Sequence, residues 1–261
     1  MSQPLVVFST VSKQFGGLKA IDGVDCAINR GLITALIGPN GAGKTTLFNC
    51  LTGLYQPSSG AIIWHGADTP RAINGLKPHQ VTRLGLARTF QNIRLFANMT
   101  VLENVMVGRH LKSRAGILGA ILRPSWVKNE ERDIVGQAMR ILKLVGLSHR
   151  AASRARNLPY GEQRRLEIAR ALASDPLLLL LDEPAAGLNP NETESLDGLI
   201  KKLQQELGLS ILLIEHDMKL VMNISDAVLV MDHGELIAQG PPEAICRDQK
   251  VIAAYLGEEM E

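Results

Sequence analysis

The stretch GPNGAGKT, residues 38–45, constrains the fold of this 261-residue chain more than any other. It follows the apolar run LITALIG and precedes a segment in which Leu47, Leu51 and Leu54 share one helical face. A buried strand, a glycine-rich turn and a helix, in that order, make the first half of an α/β unit. In this context the pattern G-x-x-x-x-G-K-[ST] predicts a phosphate-binding loop, rather than a glycine-rich turn with a chance Lys-Thr pair.

The chemistry of this loop comes from its backbone and its last residues. Its glycines allow successive N–H groups to converge on phosphate oxygens, and the helix N-terminus adds a partial positive charge. Lys44 is expected to bridge the β- and γ-phosphates, and Thr45 to hold Mg²⁺. The sequence therefore predicts a nucleoside triphosphate site formed by Gly38, Pro39, Asn40, Gly41, Ala42, Gly43, Lys44, Thr45 and Thr46.

Two acids follow a second apolar run, LLLLLDEP (residues 177–184). Ligands of open parallel sheets gather at the carboxyl ends of the strands, which is where these acids lie. Asp182 is placed to reach Mg²⁺, directly or through water, and Glu183 to polarise an attacking water. The alternative is a pair of solvated acids in a loop, which the five leucines in front of them disfavour.

Composition and cysteine usage narrow the class of protein. A net charge of +2 does not suggest broad, non-specific nucleic-acid binding. Cys26, Cys50 and Cys246 lie far apart and are odd in number, which argues against disulfides or a zinc site and favours a reducing, cytosolic compartment. No signal peptide is evident, and the longest aliphatic run is far shorter than the roughly 20 residues of a membrane span.

Further motifs follow in a recognisable order: RTFQN, LPYGEQRRLEIARAL, AAGLNP and LLIEHD. With the phosphate loop and LLLLLDEP, they resemble those of the ATP-binding cassette (ABC) family across nearly the whole chain. The resemblance implies an α/β fold, a P-loop NTPase (RecA-like) core with an antiparallel β subdomain and an inserted α-helical subdomain. The expected division is a core at 1–90 plus 165–240, a helical subdomain at 91–164 and a C-terminal tail at 241–261.

The resemblance also implies roles for single residues, with ATP and Mg²⁺ as ligands. Phe15 matches the aromatic residue that stacks on adenine, the alternative being a core phenylalanine near a strand end. Gln91 matches the glutamine that contacts Mg²⁺ and lies on the loop that senses the transmembrane partner. His216 matches the histidine on the γ-phosphate, and Glu183 the general base. Asp182 and Thr45 complete the metal site.

Members of this family work as head-to-tail dimers, in which a signature loop contacts the ATP of the partner subunit. In this chain the matching residues are Leu158, Pro159, Tyr160, Gly161 and Glu162. The common pattern is LSGGQ, so Pro159 replaces the serine and removes a hydroxyl and a backbone donor, although the helix N-terminus remains. If the partner is a sister subunit with an ordinary signature, the two ATP sites are expected to differ, the slower being the one that uses Pro159.

An inter-subunit loop is expected at Gly187, Leu188 and Asn189. Asn189 stands where the family often has aspartate. Because Glu192 follows three residues later, Asn189 also fits a capping box at the start of a helix, and capping is its expected main role.

Within the family, RTFQNIRLF, DEPAAGLNP, LLIEHDMKLVM and the terminal AYLGE resemble the longer ATPase subunit of branched-chain amino acid importers. The expected partners are a second, sister ATPase, two permease subunits and a solute-binding protein, on the cytoplasmic face of the membrane, with no nucleic acid. Urea or amide importers and lipopolysaccharide-export ATPases are the nearest alternatives. Two alternatives lie outside transport: a soluble ABC ATPase that acts on ribosomes or DNA, and a nucleotide-dependent assembly module that does not hydrolyse ATP.

The segment RHLKSRAGILGAILRPSWVK, residues 109–128, has basic residues among apolar ones and no acids. This pattern suits contact with a membrane surface or transmembrane subunit. A helical hairpin packed within the insertion is the expected arrangement.

Residue patterns also predict local features elsewhere in the chain. Gly146 is the expected C-cap of a helix within the insertion, and further helices are expected at about Gly161–Ala173 and at Pro190–Leu207. A hairpin is predicted with His233-Gly234 at its turn.

Overall fold

The computed structural model describes residues 3–67, 69–109 and 125–256. In chain order the strands are β1 (Pro4–Phe15), β2 (Leu18–Asn29), β3 (Ile33–Ile37), β4 (Ser59–Trp64), β5 (Arg71–Ala72), β6 (Leu86–Arg88), β7 (Leu178–Asp182), β8 (Ser210–Ile214), β9 (Ala227–Asp232) and β10 (Glu235–Gly240). The helices are α1 (Lys44–Leu51), α2 (Pro78–Arg83), α3 (Val101–Arg109), α4 (Ser125–Leu144), α5 (Tyr160–Leu172), α6 (Pro190–Leu207), α7 (Met218–Ile224), α8 (Pro242–Ile245) and α9 (Gln249–Leu256). Short 3₁₀ turns lie at Ser148–Arg150 and Ala155–Asn157.

The strands form two sheets of different character. One is antiparallel, in the order β2-β1-β4-β5, and the other has the order β10-β9-β3-β8-β7-β6. In the second sheet, β9, β3, β8, β7 and β6 run parallel, and β10 is antiparallel to β9. Every residue of β3, β7 and β8 is buried, as expected for parallel strands covered on both faces.

Helix α1 joins the two sheets in one hydrophobic core. Leu47, Phe48 and Leu51 of α1 belong to a buried cluster that also contains Phe8 of β1 and Leu180 of β7. The spacing of the three α1 residues, i, i+1 and i+4, puts them on one side of the helix. The helix that follows the phosphate loop is therefore fixed by apolar burial.

Contacts between Cα atoms divide the chain into two compact units. The core unit comprises the described residues of 1–88, 177–185 and 197–261, and it contains both sheets and α1. The helical unit comprises the described residues of 89–176 and 186–196. Helix α6 begins in the helical unit and continues into the core unit. An α/β core with an antiparallel sheet and an inserted helical part confirms the predicted fold class.

Helix α3 packs against both α4 and α5 in the helical unit. At the end of α4, Leu147 N donates to Leu142 O at 2.7 Å, while Gly146 has a φ of 77°. This is a Schellman C-cap, which confirms the predicted role of Gly146. The segment at 109–128, for which a helical hairpin was expected, falls mostly outside the described residues.

Candidate functional site

The phosphate loop lies between β3 and α1, as the sequence predicts. Gly38 has a φ of 143°, and a Cβ there would lie 2.0 Å from Met231 O. Gly43, the N-cap of α1, has a φ of 97°, and its Cβ would lie 2.4 Å from a backbone carbonyl oxygen of β2. Positive φ and close backbone approach each favour glycine at these two positions. The glycines therefore shape a cradle of backbone amides at a helix N-terminus that has no acid in its first turn.

Lys44 folds back across this loop. Its Nζ donates to Gly38 O at 2.6 Å and to Pro39 O at 2.7 Å. An ammonium group carries three N–H donors and no acceptor, which suits an anionic ligand. Lys44 and the loop amides are thus suited to bind phosphate. The hydroxyl oxygen of Thr45 is a hard ligand of the kind that Mg²⁺ prefers.

A cavity of about 440 Å³ opens beside the loop within the core unit. Phosphate-loop residues 40–46 line it together with Phe15, Leu18, Glu183 and His233. Phe15 is 41% exposed, so the alternative of a core phenylalanine is wrong. Its ring meets that of Tyr55 edge to face, with centroids 5.2 Å apart. The structure therefore brings the predicted adenine-stacking residue, phosphate loop and general base to one cavity.

His233 was not among the predicted site residues, although His233-Gly234 was predicted to form a hairpin turn. It occupies the hairpin turn between β9 and β10, with a φ of 44°, and Gly234 follows with a φ of 85°. Two successive positive φ values are typical of a type I′ hairpin turn. The sequence marked the turn but gave no sign that the turn would face the cavity.

The acid pair lies at the carboxyl end of β7. Asp182 is buried, and its Oδ2 accepts from Arg88 Nη2 at 2.8 Å. Arg88 also donates from Nη1 to Asn49 Oδ1 at 2.6 Å. Arg88, on the neighbouring strand β6, was missed by sequence reasoning. It compensates the buried charge of Asp182 and orients one of its carboxylate oxygens.

Glu183 adopts a left-handed backbone conformation, with a φ of 45°. Its N–H donates to Ile214 O at 3.0 Å, which ties the end of β7 to β8. A non-glycine residue in this region costs about 1–3 kcal/mol, and such strain clusters at functional sites. The strained backbone directs the chain so that Glu183 lines the cavity, whereas Asp182 remains in the sheet.

The turn after β8 carries Glu215 and His216. Glu215 is buried, and its carboxylate accepts from Ala185 N at 2.9 Å and from His216 N at 3.3 Å. Burial raises the pKa of Glu215, against the opposing effect of these hydrogen bonds. His216 is exposed and is not among the described residues that line the cavity. Glu215, which sequence reasoning missed, joins the segment after Glu183 to the segment that carries His216.

In the helical unit, a buried ion pair on α5 holds the loop that carries Gln91. Arg164 Nη1 and Glu167 Oε2 are 2.9 Å apart, and the two side chains are 0% and 1% exposed. Arg164 donates to Phe90 O and to Gln91 O, both at 2.9 Å. Glu167 Oε1 accepts from Phe90 N at 3.3 Å and from Arg94 N at 3.4 Å. The pair therefore fixes the backbone on both sides of Gln91.

The signature stretch forms the start of α5. Leu158 is buried, and Pro159 is the N-cap with φ −55° and ψ 155°. Tyr160 is the first helical residue, one position before the predicted start at Gly161. Glu162 lies in the first turn, and its carboxylate pairs with Arg150 at 3.2 Å. Proline suits this position because the first amides of a helix have no intrahelical acceptor.

The predicted capping box at the start of α6 is present. Asn189 N donates to Glu192 Oε2 at 3.1 Å, and Glu192 N donates to Asn189 Oδ1 at 3.0 Å. Gly187, two residues earlier, has a φ of 79°. The residues expected to form the inter-subunit loop, Gly187, Leu188 and Asn189, thus lie together in the turn before α6.

Comparison with known proteins places this geometry in context. The ABC transporter family model matches residues 21–186, and a model described as "Branched-chain amino acid ATP-binding cassette transporter" matches residues 235–261. The chain is 47% identical to the high-affinity branched-chain amino acid transport ATP-binding protein LivG of Salmonella typhimurium, over 99% of this chain and 100% of the relative. It is equally similar to BraF of Pseudomonas aeruginosa, with the same coverage.

Solved structures give the same picture. The ADP conformation of an ATP-binding cassette of an ABC transporter matches with a TM-score of 0.84 and 32% identity, over 98% of this chain and 100% of that chain. A dimeric cassette in a post-hydrolysis state, bound to ADP and Pi, matches with a TM-score of 0.73 and 26% identity, over 91% of this chain and 98% of that chain.

Proposed function

The chain belongs to the ABC transporter family, and from this premise we propose that it is the ATP-hydrolysing subunit of an importer of branched-chain amino acids. The observation that carries the proposal is that Glu183 and the phosphate loop line one cavity. The similarity of the whole chain to LivG and BraF supports leucine, isoleucine and valine as the transported solutes.

Different residues of the core unit have different roles in ATP binding and hydrolysis. Phe15 stacks on the adenine, while the loop amides and Lys44 bind the phosphates. Thr45 and Asp182 would hold Mg²⁺, which would neutralise phosphate charge. Glu183 orients the attacking water, and His216 contacts the γ-phosphate. The exposed ring of Phe15 and the strained backbone of Glu183 support these assignments.

The proposal places the chain in a head-to-tail dimer, with a sister ATPase as the expected partner, on two permease subunits fed by a solute-binding protein. Its signature loop, 158–162, then contacts the nucleotide of the partner subunit. The Gln91 loop conveys movement to the permease. Restoring serine at Pro159 is expected to speed turnover at the partner's site, since a γ-phosphate contact would be regained.

We also propose that the chain is peripheral, on the cytoplasmic side of the membrane. In the described ranges, no helix combines the length and apolar character that crossing a bilayer requires. Attachment therefore depends on the permease subunits in this proposal.

The test is co-purification with the permease and sister ATPase, followed by ATPase assays with solute-binding protein loaded with leucine, isoleucine or valine. We expect stimulation by these amino acids and none by urea or short amides. Stimulation by an amide alone would favour the alternative importer, and co-purification with nucleic acid in place of permease would refute the transport assignment.

The catalytic assignment is tested separately with Glu183→Gln. This variant should bind ATP as the wild type does and lose turnover at its own site. Glu206→Gln, at an exposed position on α6, is the matched control and should keep full activity. Undiminished hydrolysis at the site of Glu183→Gln would refute the role of Glu183.

A further inference from the structure

Tyr160 stands where the common signature pattern has glycine, and the structure gives its side chain specific contacts. Its Oη donates to Ala186 O at 3.1 Å. The side chain is otherwise accessible, since Tyr160 is 43% exposed. A large aromatic residue at this position therefore reaches from the first turn of α5 to the segment that precedes α6.

The ring of Tyr160 lies against Gly187. A Cβ at Gly187 would be 3.2 Å from Cε1 of Tyr160 and 3.4 Å from its Cζ and Oη. The φ of Gly187, 79°, independently favours glycine. The hydroxyl of Tyr160 thus contacts Ala186, and its ring contacts the next residue, Gly187.

A second set of contacts holds the start of α6 to α5. A Cβ at Gly161 would lie 2.7 Å from Glu192 Oε1, so the Glu192 side chain packs on this glycine. Arg165 Nη2 donates to Ser195 Oγ at 2.8 Å. Because Glu192 also closes the capping box with Asn189, the turn at 186–189 is held at both of its ends.

We propose that Tyr160 is a positioning residue that attaches segment 186–189, which contains the inter-subunit loop at 187–189, to the signature loop of the same subunit. The two loops then form one surface toward the nucleotide site of the partner subunit. This inference rests on the proposed function, which supplies the dimer.

The test uses Tyr160→Phe, which keeps the ring on Gly187 and removes only the hydroxyl. The subunit carrying it also carries Glu183→Gln, so that turnover in the assembled complex comes from the partner's site. We expect kcat at that site to fall about two- to tenfold, the effect of one lost hydrogen bond. The KM for ATP at that site should stay within about twofold, because ground-state binding is unaffected. Tyr160→Gly, which also removes the ring, should lower kcat further.

Tyr255→Phe is the control, since it removes a phenolic hydroxyl from α9 and should leave kcat unchanged. Hydrogen exchange should show faster exchange at residues 187–189 in Tyr160→Phe than in this control. Unchanged kcat at the partner's site would overturn the proposal, and so would an equal loss of kcat in Tyr160→Phe and Tyr255→Phe. Assaying basal turnover without amino acid separates this test from the solute assignment, which fails independently if branched-chain amino acids do not stimulate.

Discussion

The Arg164–Glu167 ion pair permits a quantitative prediction, because both side chains are buried and solvent does not screen their interaction. Arg164→Met removes the cation and leaves the Glu167 carboxylate buried, at an expected cost of about 3–5 kcal/mol. Glu167→Gln keeps an oxygen that can accept from Phe90 N and Arg94 N but leaves the guanidinium uncompensated, at about 1–3 kcal/mol. The double variant contains neither buried charge.

The double variant provides the sharper comparison. Adding Glu167→Gln to Arg164→Met should raise the free energy of unfolding, although the same change lowers it in the wild type. For the sign to reverse in this way, the interaction energy from the cycle must exceed the cost of Glu167→Gln alone, which is about 1–3 kcal/mol. Arg140→Met, at an exposed position on α4, is the control and should change stability by less than about 0.5 kcal/mol.

Urea unfolding measures these energies, and hydrogen exchange at the amides of Phe90 and Arg94 locates the effect. Both amides should exchange faster in each single variant, because the carboxylate is displaced in Arg164→Met and is replaced in Glu167→Gln by an amide oxygen, which accepts more weakly. Additive energies within about 0.3 kcal/mol would refute the reasoning. So would unchanged exchange at both amides, since the pair would then not hold the Gln91 loop.

Three further changes test other parts of the structure. Gly43→Ala places a methyl group 2.4 Å from a carbonyl of β2 at a φ of 97°, so we expect weaker ATP binding by calorimetry, and wild-type affinity would contradict the cradle geometry. Burial raises the pKa of Glu215, so the folded state favours its protonated form. The wild type therefore loses stability as pH rises above the ordinary pKa of a glutamate. Glu215→Gln should therefore gain stability relative to wild type as pH rises above the ordinary pKa of a glutamate, and a pH-independent difference would argue against this effect. Burial raises the pKa of Cys26 to about 12 and of Cys50 to about 11, so at pH 8 a thiol reagent should label exposed Cys246 alone until the protein unfolds, which mass spectrometry can count.

Short sequence patterns were sufficient to predict several elements of the fold and the site. The phosphate loop lies between its predicted strand and helix, and α6 spans the predicted Pro190–Leu207. The capping box of Asn189 and the hairpin turn at His233 also follow their residue types. In each case neighbouring residues determine the backbone, so that no distant contact is needed to predict it.

The sequence did not predict contacts between side chains that lie far apart along the chain. The i, i+3 spacing of Arg164 and Glu167 was visible, but not that the pair would hold backbone around Gln91, 73 positions earlier. Arg88 likewise meets Asp182 across 94 positions. Such pairings depend on which strands and helices become neighbours, which hydrophobic periodicity alone does not determine.

The two unusual residues of the signature stretch act on different parts of the turn. Pro159 removes a serine hydroxyl, but the first-turn amides of α5 still have no intrahelical acceptor and remain suited to an anion. Tyr160 points its hydroxyl to Ala186 O, so its contacts are with the neighbouring loop. Because the proline ring restricts φ at the N-cap, it also limits the directions from which Tyr160 can approach that loop. A change at Pro159 therefore alters both the phosphate contact and the attachment of the inter-subunit loop, and the variants at Tyr160 are needed to separate the two effects.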